Sequence, residues 1–292
     1  KLKAQKPFIV CWVAASDLAL RRLGEIGIAT MRGADPAIEA VAGLVQYREA
    51  RDAWRAGKLI QQTPSQYGVN LPSNKGVVPT VLAAKALIAA EIPLTRHTLC
   101  RTAEEACTAA AAIGYPVAMK IESVDLPHKT EAGGVLLGLA DEDAVRCAFD
   151  KIVSNANCFD ADAAIDGVIV QEIARGSLEL VVGLKRDPVF GMVVMVGIGG
   201  VFVEVLRDVV FRKAPVTVPQ AKDMLLDLQG AAMLDGVRGE PPVDMVALTE
   251  LISAVSLFGA GASGQVTELD LNPVLAGPDG AVVVDWLLIQ DA

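Results

Sequence analysis

Lys120 and His128 are the residues of this chain best suited by type and spacing to do chemistry. The run Tyr115-Pro116-Val117-Ala118-Met119-Lys120 is a short apolar strand ending in a cation. A polar loop then carries His128, one of two histidines among 292 residues, before Gly133-Gly134-Val135 opens a second apolar strand. A lysine at a strand end can neutralise phosphate oxygens as a point charge. An imidazole, largely neutral near pH 7, can accept a phosphoryl group or carry a proton. Read on their own, the same two residues are equally a solvated strand end and an ordinary loop histidine.

A second group lies near the C-terminus. Glu268-Leu269-Asp270-Leu271-Asn272-Pro273 alternates, which puts Glu268, Asp270 and Asn272 on one face of a strand. Asp285 ends the following apolar strand and returns to the same end of that hairpin. Carboxylates and an amide oxygen are hard donors that suit Mg²⁺ together with nucleotide phosphates; the plain alternative is a solvated hairpin face. Gly197-Ile198-Gly199-Gly200 lacks G-x-G-x-x-G spacing and opens no helix, so it is not a dinucleotide fingerprint. It lets backbone N–H groups approach an anion, or it marks a β-bulge.

The elements that must position these groups follow from composition and pattern. Hydrophobic residues make up 52% of the chain and aromatics only 4%, a mix that suits sheets covered by helices, and the length suits two domains. A net charge of −9 argues against nucleic acid as a partner. No run approaches the roughly 20 apolar residues of a membrane span, and residues 1–30 lack the pattern of a signal peptide. The sequence therefore reads as a soluble, cytoplasmic protein with no membrane partner. Its five cysteines form no C-x-x-C pair, so free thiols, mostly packed in the interior, are expected and zinc is not.

Residues 7–13 form an apolar run expected to be a strand covered on both faces. A helix over 18–26, a short strand at 27–29 and a helix over 36–54, capped by Asp35 with Pro36 in its first turn, complete a βαβα unit. That unit is too small to bury a two-faced strand. It reads as the tail of a larger doubly wound domain, either part of a longer protein or completed by another chain, as in a homo-oligomer. Residues 56–74 have linker composition. Beyond them the pattern predicts a helix over 75–90 capped by Asn74, and a Thr102–Glu105 capping box opening a helix to 113. Strands follow at 117–121 and 134–139, then a helix over 141–154 and a loop over 155–166. Further strands are expected at 167–173, 178–184, 192–197, 201–205 and 208–212, helices at 219–229 and 243–258, and last strands at 266–271 and 281–284. His97 falls in a linker and reads as a surface residue. The fold class is α/β followed by α+β.

Several motifs occur together and in order: Tyr115 to Lys120, Pro127-His128-Lys129-Thr130-Glu131-Ala132-Gly133-Gly134-Val135, Gln171-Glu172, Glu179-Leu180-Val181-Val182-Gly183, Arg186-Asp187-Pro188, Gly199-Gly200-Val201-Phe202-Val203-Glu204, Leu234-Asp235-Gly236-Val237-Arg238-Gly239 and Leu269-Asp270-Leu271-Asn272-Pro273. This set resembles the ATP-grasp portion of the NDP-forming acyl-CoA synthetases, with ADP-forming acetyl-CoA synthetase as the best-known type and succinyl-CoA synthetase as a relative. The resemblance runs from about residue 75 to the end. It implies a two-lobed ATP-grasp fold, with lobes at about 75–172 and 173–292. The linker 56–74 precedes it, and residues 1–55 resemble the last part of that family's flavodoxin-like CoA-ligase domain.

The resemblance also implies an activity: carboxylate, CoA and ATP to acyl-CoA, ADP and phosphate, reversibly, through an acyl phosphate and a phosphohistidine. ATP or ADP would lie between the lobes with Lys120 on its phosphates. Gln171, Glu172 and Ile173 would form the interlobe strand whose backbone meets the adenine, and Glu179 would approach the ribose. Asn272 and Asp285 would hold Mg²⁺, while Gly199, Gly200 and Glu204 would lie near the transferring phosphate. His128 would carry the phosphoryl group, oriented by Glu204 or Asp270. The CoA-binding domain and the domain with the primary phosphohistidine lie outside this sequence. They are implied as partners, either in one longer protein or in a separate subunit. Trp286, directly after Asp285, departs from the family pattern and is expected to affect packing rather than the metal. Two alternatives remain: another ATP-grasp carboxylate ligase, which would need no histidine such as His128, and a non-catalytic nucleotide-binding subunit.

Overall fold

The computed structural model describes residues 8–55, 71, 75–126, 129–200, 208–237, 239–262 and 264–291. The chain divides into two compact units, Lys1–Gln61 and Gln62–Ala292.

In the first unit β1 (Val10–Cys11) and β2 (Thr30–Met31) pair in parallel. They alternate with α1 (Asp17–Glu25), capped by the Ser16 hydroxyl, and α2 (Ala34–Arg55). The long strand expected over 7–13 is cut to two residues, and the one expected at 27–29 forms at Thr30–Met31. Among the described residues β1 has one neighbouring strand, and Phe8, Trp12 and Val13 are exposed rather than covered on both faces. Helix α2 begins one residue before Asp35, so Asp35 sits in its first turn instead of capping it. There its charge still favours the helix N-terminus.

The second unit holds two sheets. Its elements are β3 (Gly76–Val77), α3 (Thr80–Ala89), β4 (His97–Cys100), α4 (Ala103–Ile113), β5 (Val117–Glu122), β6 (Val135–Leu139), α5 (Glu142–Phe159), β7 (Gly167–Glu172), β8 (Leu178–Asp187), β9 (Gly191–Ile198) and β10 (Val209–Lys213). After these come α6 (Val218–Leu226), a 3₁₀ turn (Ala231–Asp235), α7 (Met245–Gly261), β11 (Val266–Gly277), β12 (Gly280–Val283) and β13 (Trp286–Gln290).

The smaller sheet has the order β4-β7-β5-β6 and is antiparallel throughout. Val117, Met119 and Ile121 of β5 point into a core with Ala106 and Ala110 of α4 and Val145, Phe149 and Ile152 of α5. The alternation of a strand sends Ala118, Lys120 and Glu122 to the other face. Helix α4 starts as expected: the Thr102 hydroxyl accepts from the Glu105 N–H at 3.1 Å. The returning Glu105 carboxylate takes the Arg101 N–H rather than that of Thr102.

The larger sheet runs β10-β9-β8-β11-β13-β3, with β12 also paired to β11. Leu180, Val182 and Leu184 of β8, Leu269, Leu271 and Val274 of β11, and Leu288 of β13 are buried in one core with residues of α3, α6 and α7. Glu179, Gly183 and Lys185 of β8 and Glu268 and Asp270 of β11 alternate with them and occupy the opposite face.

Several expectations need correction. The helix predicted from 75 starts at Thr80, because Gly76 and Val77 pair with β13 and the residue before Pro79 is kept out of helical geometry. Asn74, its expected cap, lies outside the described residues. Both β3 and α3 belong with the larger sheet, so the two sheets do not follow a division at 172/173 for the segment 75–90. Helix α5 continues to Phe159, into the segment read as a loop. His97 is not a surface linker residue: it opens β4, and its ring meets Trp286 edge-on at 4.9 Å. Strand β13 was not anticipated. The strand expected over 201–205 lies outside the described residues. Three of the five cysteines, Cys11, Cys147 and Cys158, are exposed, and only Cys100 and Cys107 are buried. Helix α5 turns Cys147 and Cys158 away from the face that carries Val145, Ala148 and Ile152.

Candidate functional site

Strand β11 changes partners at Asn272. Up to Leu271 it pairs with β13, and from Val274 it pairs with β12. At the change the Asn272 N–H donates to the Asp285 carbonyl at 3.1 Å and the Val284 N–H to the Pro273 carbonyl at 3.0 Å. Backbone bonds thus hold Asn272 and Asp285 side by side, at the end of the hairpin to which the sequence reading returned Asp285.

Lys120 reaches this junction from the smaller sheet. Its Nζ lies 3.2 Å from Asp285 Oδ2 and 3.5 Å from the Val284 carbonyl, and its side chain is only 10% exposed. Gln171, next to it in the smaller sheet, donates from Nε2 to the same Val284 carbonyl at 2.6 Å and to the Thr95 hydroxyl. Two side chains of the smaller sheet therefore converge on residues 284–285 of the larger one.

Asp270, Asn272 and Asp285 line a cleft of about 530 Å³, together with Thr80, Glu122, Lys129, Glu131 and Trp286. Asp270 stands opposite Gly183, which carries no side chain to cover it. Burial first, then the charges of Glu268 and Asp285, pushes the Asp270 carboxyl above the usual carboxylate range. Glu268 is on the same face but is engaged by Lys185 across the β8–β11 ladder. Among the described residues no three His, Cys, Asp or Glu side chains converge as a closed metal set. Two carboxylates and an amide oxygen beside one another, carrying a surplus of negative charge, nevertheless suit Mg²⁺, which keeps waters and phosphate oxygens as its remaining ligands.

The other candidates fall in two places. Gly199 donates its N–H to the Glu179 carbonyl at 2.7 Å, and a Cβ on residue 199 would stand 2.9 Å from that backbone. Gly200 follows with φ +73°, beside the Glu179 carboxylate. These three residues thus form one neighbourhood, on β8 and at the end of β9. Glu172 binds Arg96 through both carboxylate oxygens, accepting from the backbone N–H at 2.9 Å and from Nε at 2.6 Å. The backbones of Gln171 and Glu172 are in the β5–β7 ladder, and Ile173 is the first residue past the strand. His128 and Glu204 lie outside the described residues.

The sequence reading overlooked Glu122, Lys129 and Thr80. Glu122 is 3% exposed, accepts from the Thr80 N–H at 2.7 Å and forms an ion pair with Lys129 at 3.0 Å. The signal was available: a carboxylate two residues after Lys120 in an otherwise apolar strand must share its face.

The sequence matches the ATP-grasp domain family over residues 71–289. This chain belongs to the ATP-grasp family. Its ATP-grasp region also has well-described relatives. It is 41% identical over 226 residues to the 4-hydroxybutyrate–CoA ligase [ADP-forming] of Nitrosopumilus maritimus, a match covering 77% of this chain and 31% of that enzyme. It is 40% identical over 198 residues to the beta subunit of acetate–CoA ligase [ADP-forming] I of Pyrococcus furiosus, covering 68% of this chain and 85% of that subunit. Among solved structures, a dinucleotide-forming acetyl-coenzyme A synthetase of Ca. Korarchaeum cryptofilum, in complex with coenzyme A and Ca-AMPCP, matches with a TM-score of 0.72 at 38% identity, covering 74% of this chain and 94% of that one. The match to the Nitrosopumilus ligase thus spans about a third of that enzyme. Among the described residues no helix of the ATP-grasp chain is long and apolar enough to cross a membrane.

Proposed function

We propose that residues 75–292 are the two-lobed nucleotide-binding part of an ADP-forming acyl-CoA synthetase, converting carboxylate, CoA and ATP to acyl-CoA, ADP and phosphate. The observation that carries this reading is the meeting of Lys120 with Asp285, which lines a cleft together with Asp270 and Asn272. A cation from one sheet and hard oxygen donors from the other are what a polyphosphate between them requires. The names of the relatives favour the CoA-ligase reaction over other ATP-grasp ligations.

In this reading Lys120 contacts phosphate oxygens, exchanging its bond to Asp285 for one to the nucleotide. Asn272 and Asp285 hold Mg²⁺, with Asp270 adjacent. When bound, the metal draws charge from the phosphate oxygens. The backbone of Gln171, Glu172 and Ile173 meets the base, Glu179 the ribose, and Gly199 and Gly200 let backbone approach the phosphates, with Glu204 near the transferring group. Lys120 offsets the charge that develops as the His128 imidazole attacks the terminal phosphorus: an N–P bond forms, the bridging P–O bond breaks, and ADP departs. Domains for CoA and for the primary phosphohistidine would come from the rest of a longer protein or from a separate subunit, with residues 1–55 as the end of a flavodoxin-like domain.

The test is incubation of the chain with γ-labelled ATP and Mg²⁺, following acid-labile, base-stable label in wild type and His128→Ala. Label on the wild type alone supports the reading. Failure to bind any nucleotide refutes it.

A further inference from the structure

A second cation faces the cleft, and nothing described so far gives it a role. Lys129 is the one lysine or arginine among the described residues that line the cavity, against the carboxylates of Glu122, Glu131, Asp270 and Asp285. Its side chain is 18% exposed. An ammonium has three N–H donors. One of these is directed to Glu122 Oε2 at 3.0 Å and one to the Thr80 hydroxyl at 3.3 Å. Among the described residues the third donor has no acceptor.

The residue that holds Lys129 is itself fixed. Glu122 is on the cleft face of β5, two residues after Lys120, and its other oxygen accepts from the N–H of Thr80, the first residue of α3. Pro79, at the cap position, supplies no side-chain cap, so the Glu122 carboxylate takes that place. Thr80 is bound on its other side, where its carbonyl accepts from Trp286 Nε1 at 3.0 Å. The knot of Glu122, Lys129 and Thr80 therefore joins the smaller sheet to the larger beside Asp285. A buried ion pair gives little stability that apolar packing would not give. It does fix the direction of a flexible lysine, as the carboxylate partner of the phosphate-binding lysine does in protein kinases.

We infer that Lys129 is a second phosphate-contacting cation of the cleft, taking the terminal phosphates of a nucleoside di- or triphosphate, and that Glu122 is its positioning residue. The inference rests on the nucleotide reading above and extends it. Lys129 lines the cleft against Glu122, and Lys120 is bonded to Asp285, which also lines it, so a polyphosphate reaching from one carboxylate to the other would meet a cation at each.

Equilibrium binding of ATP and of AMP, each with Mg²⁺, to the whole chain tests this. In Lys129→Met the ratio of AMP to ATP dissociation constants falls about tenfold, the loss of one charge-assisted contact, while AMP binding stays within about twofold. Glu122→Gln, whose amide oxygen still accepts from Thr80, gives a smaller fall in the same ratio. Lys129→Arg keeps most of it. Adding Glu122→Gln to Lys129→Met causes no further change, and this double variant, with both charges removed, is measured if the single one fails to fold. A ratio equal to wild type in Lys129→Met or in the double variant overturns the inference and leaves the nucleotide reading intact. Equal losses for ATP and AMP also overturn it, because they reveal a structural role alone. A wild type that binds neither nucleotide overturns both.

Discussion

The ammonium of Lys120, on a central strand of the smaller sheet, stands 3.2 Å from the carboxylate of Asp285, at the junction of two strands of the larger. The pair is partly enclosed and links the two walls of the cleft. A single substitution at Lys120 should therefore act on ligand binding more than on folding. Lys120→Met is expected to weaken ATP binding by about tenfold to a hundredfold, the range for a lost hydrogen bond to a charged group. Calorimetric titration with Mg-ATP measures it, and unchanged affinity would remove Lys120 from the phosphate site.

Asp270 carries the pH dependence. Burial, with Glu268 and Asp285 nearby, raises its folded-state pKa above the unfolded value of about 3.9. A group shifted in this direction contributes stability below about pH 3.9, and that contribution is lost as pH rises through the folded-state value. The ionised form is then a burden at neutral pH. Asp270→Asn should raise the melting temperature at pH 7 and leave it nearly unchanged at pH 3.5, without metal. A lower melting temperature at pH 7 would show that the charge is already compensated.

Gly199 is fixed by space rather than by backbone angle. A methyl group there would stand 2.9 Å from the Glu179 backbone, and strand β8 cannot retreat because its residues are laddered to β9 and β11. Gly199→Ala is expected to cost about 1–3 kcal/mol, as overpacking does. Chemical denaturation reads this directly, and a loss under about 0.5 kcal/mol would show that the neighbourhood of Glu179 yields.

The cysteines give a check on packing. Burial pushes the Cys100 thiol up to about 11, with Glu105 and Cys107 adding to the shift, and raises Cys107 as well. Cys11, Cys147 and Cys158 are exposed. At pH 8 a chromogenic disulfide reagent should label those three in the native protein, and Cys100 and Cys107 only after denaturation. Fast native labelling of Cys100 would contradict its place in the smaller core.

Much of this arrangement was legible because it rests on local rules. The Thr102 cap, the alternation through Glu268, Asp270 and Asn272, and the strand ending near Lys120 all follow from periods and caps that a few residues specify. What was missed depends on partners distant in sequence. Gly76 and Val77 look like the start of a helix until β13 is there to pair with them. His97 looks like a linker residue until β7 takes it into a ladder and Trp286 meets its ring. Glu122 was visible as an oddity in an apolar strand, but its role required knowing that Thr80 would arrive beside it. The same limit applies to β1, whose apolar run predicts a longer strand than one short neighbour supports.

The pairing of β3 with β13 has a consequence for how the molecule is made. The smaller sheet is drawn from one continuous stretch, His97 to Glu172, and can form as soon as that stretch leaves the ribosome. The larger sheet begins before it, at Gly76, and is closed only by Ile289 against Val77 and Gln290 against Gly76. Until residues 286–290 are synthesised, the first strand and helix of that sheet wait without their neighbour, so the cleft is completed only after the smaller sheet can form. Deleting residues 286–290 would remove the closing stitch. It would also loosen both walls of the cleft together, since Asp285 stands at the foot of the last strand and Thr80 rests on its tryptophan.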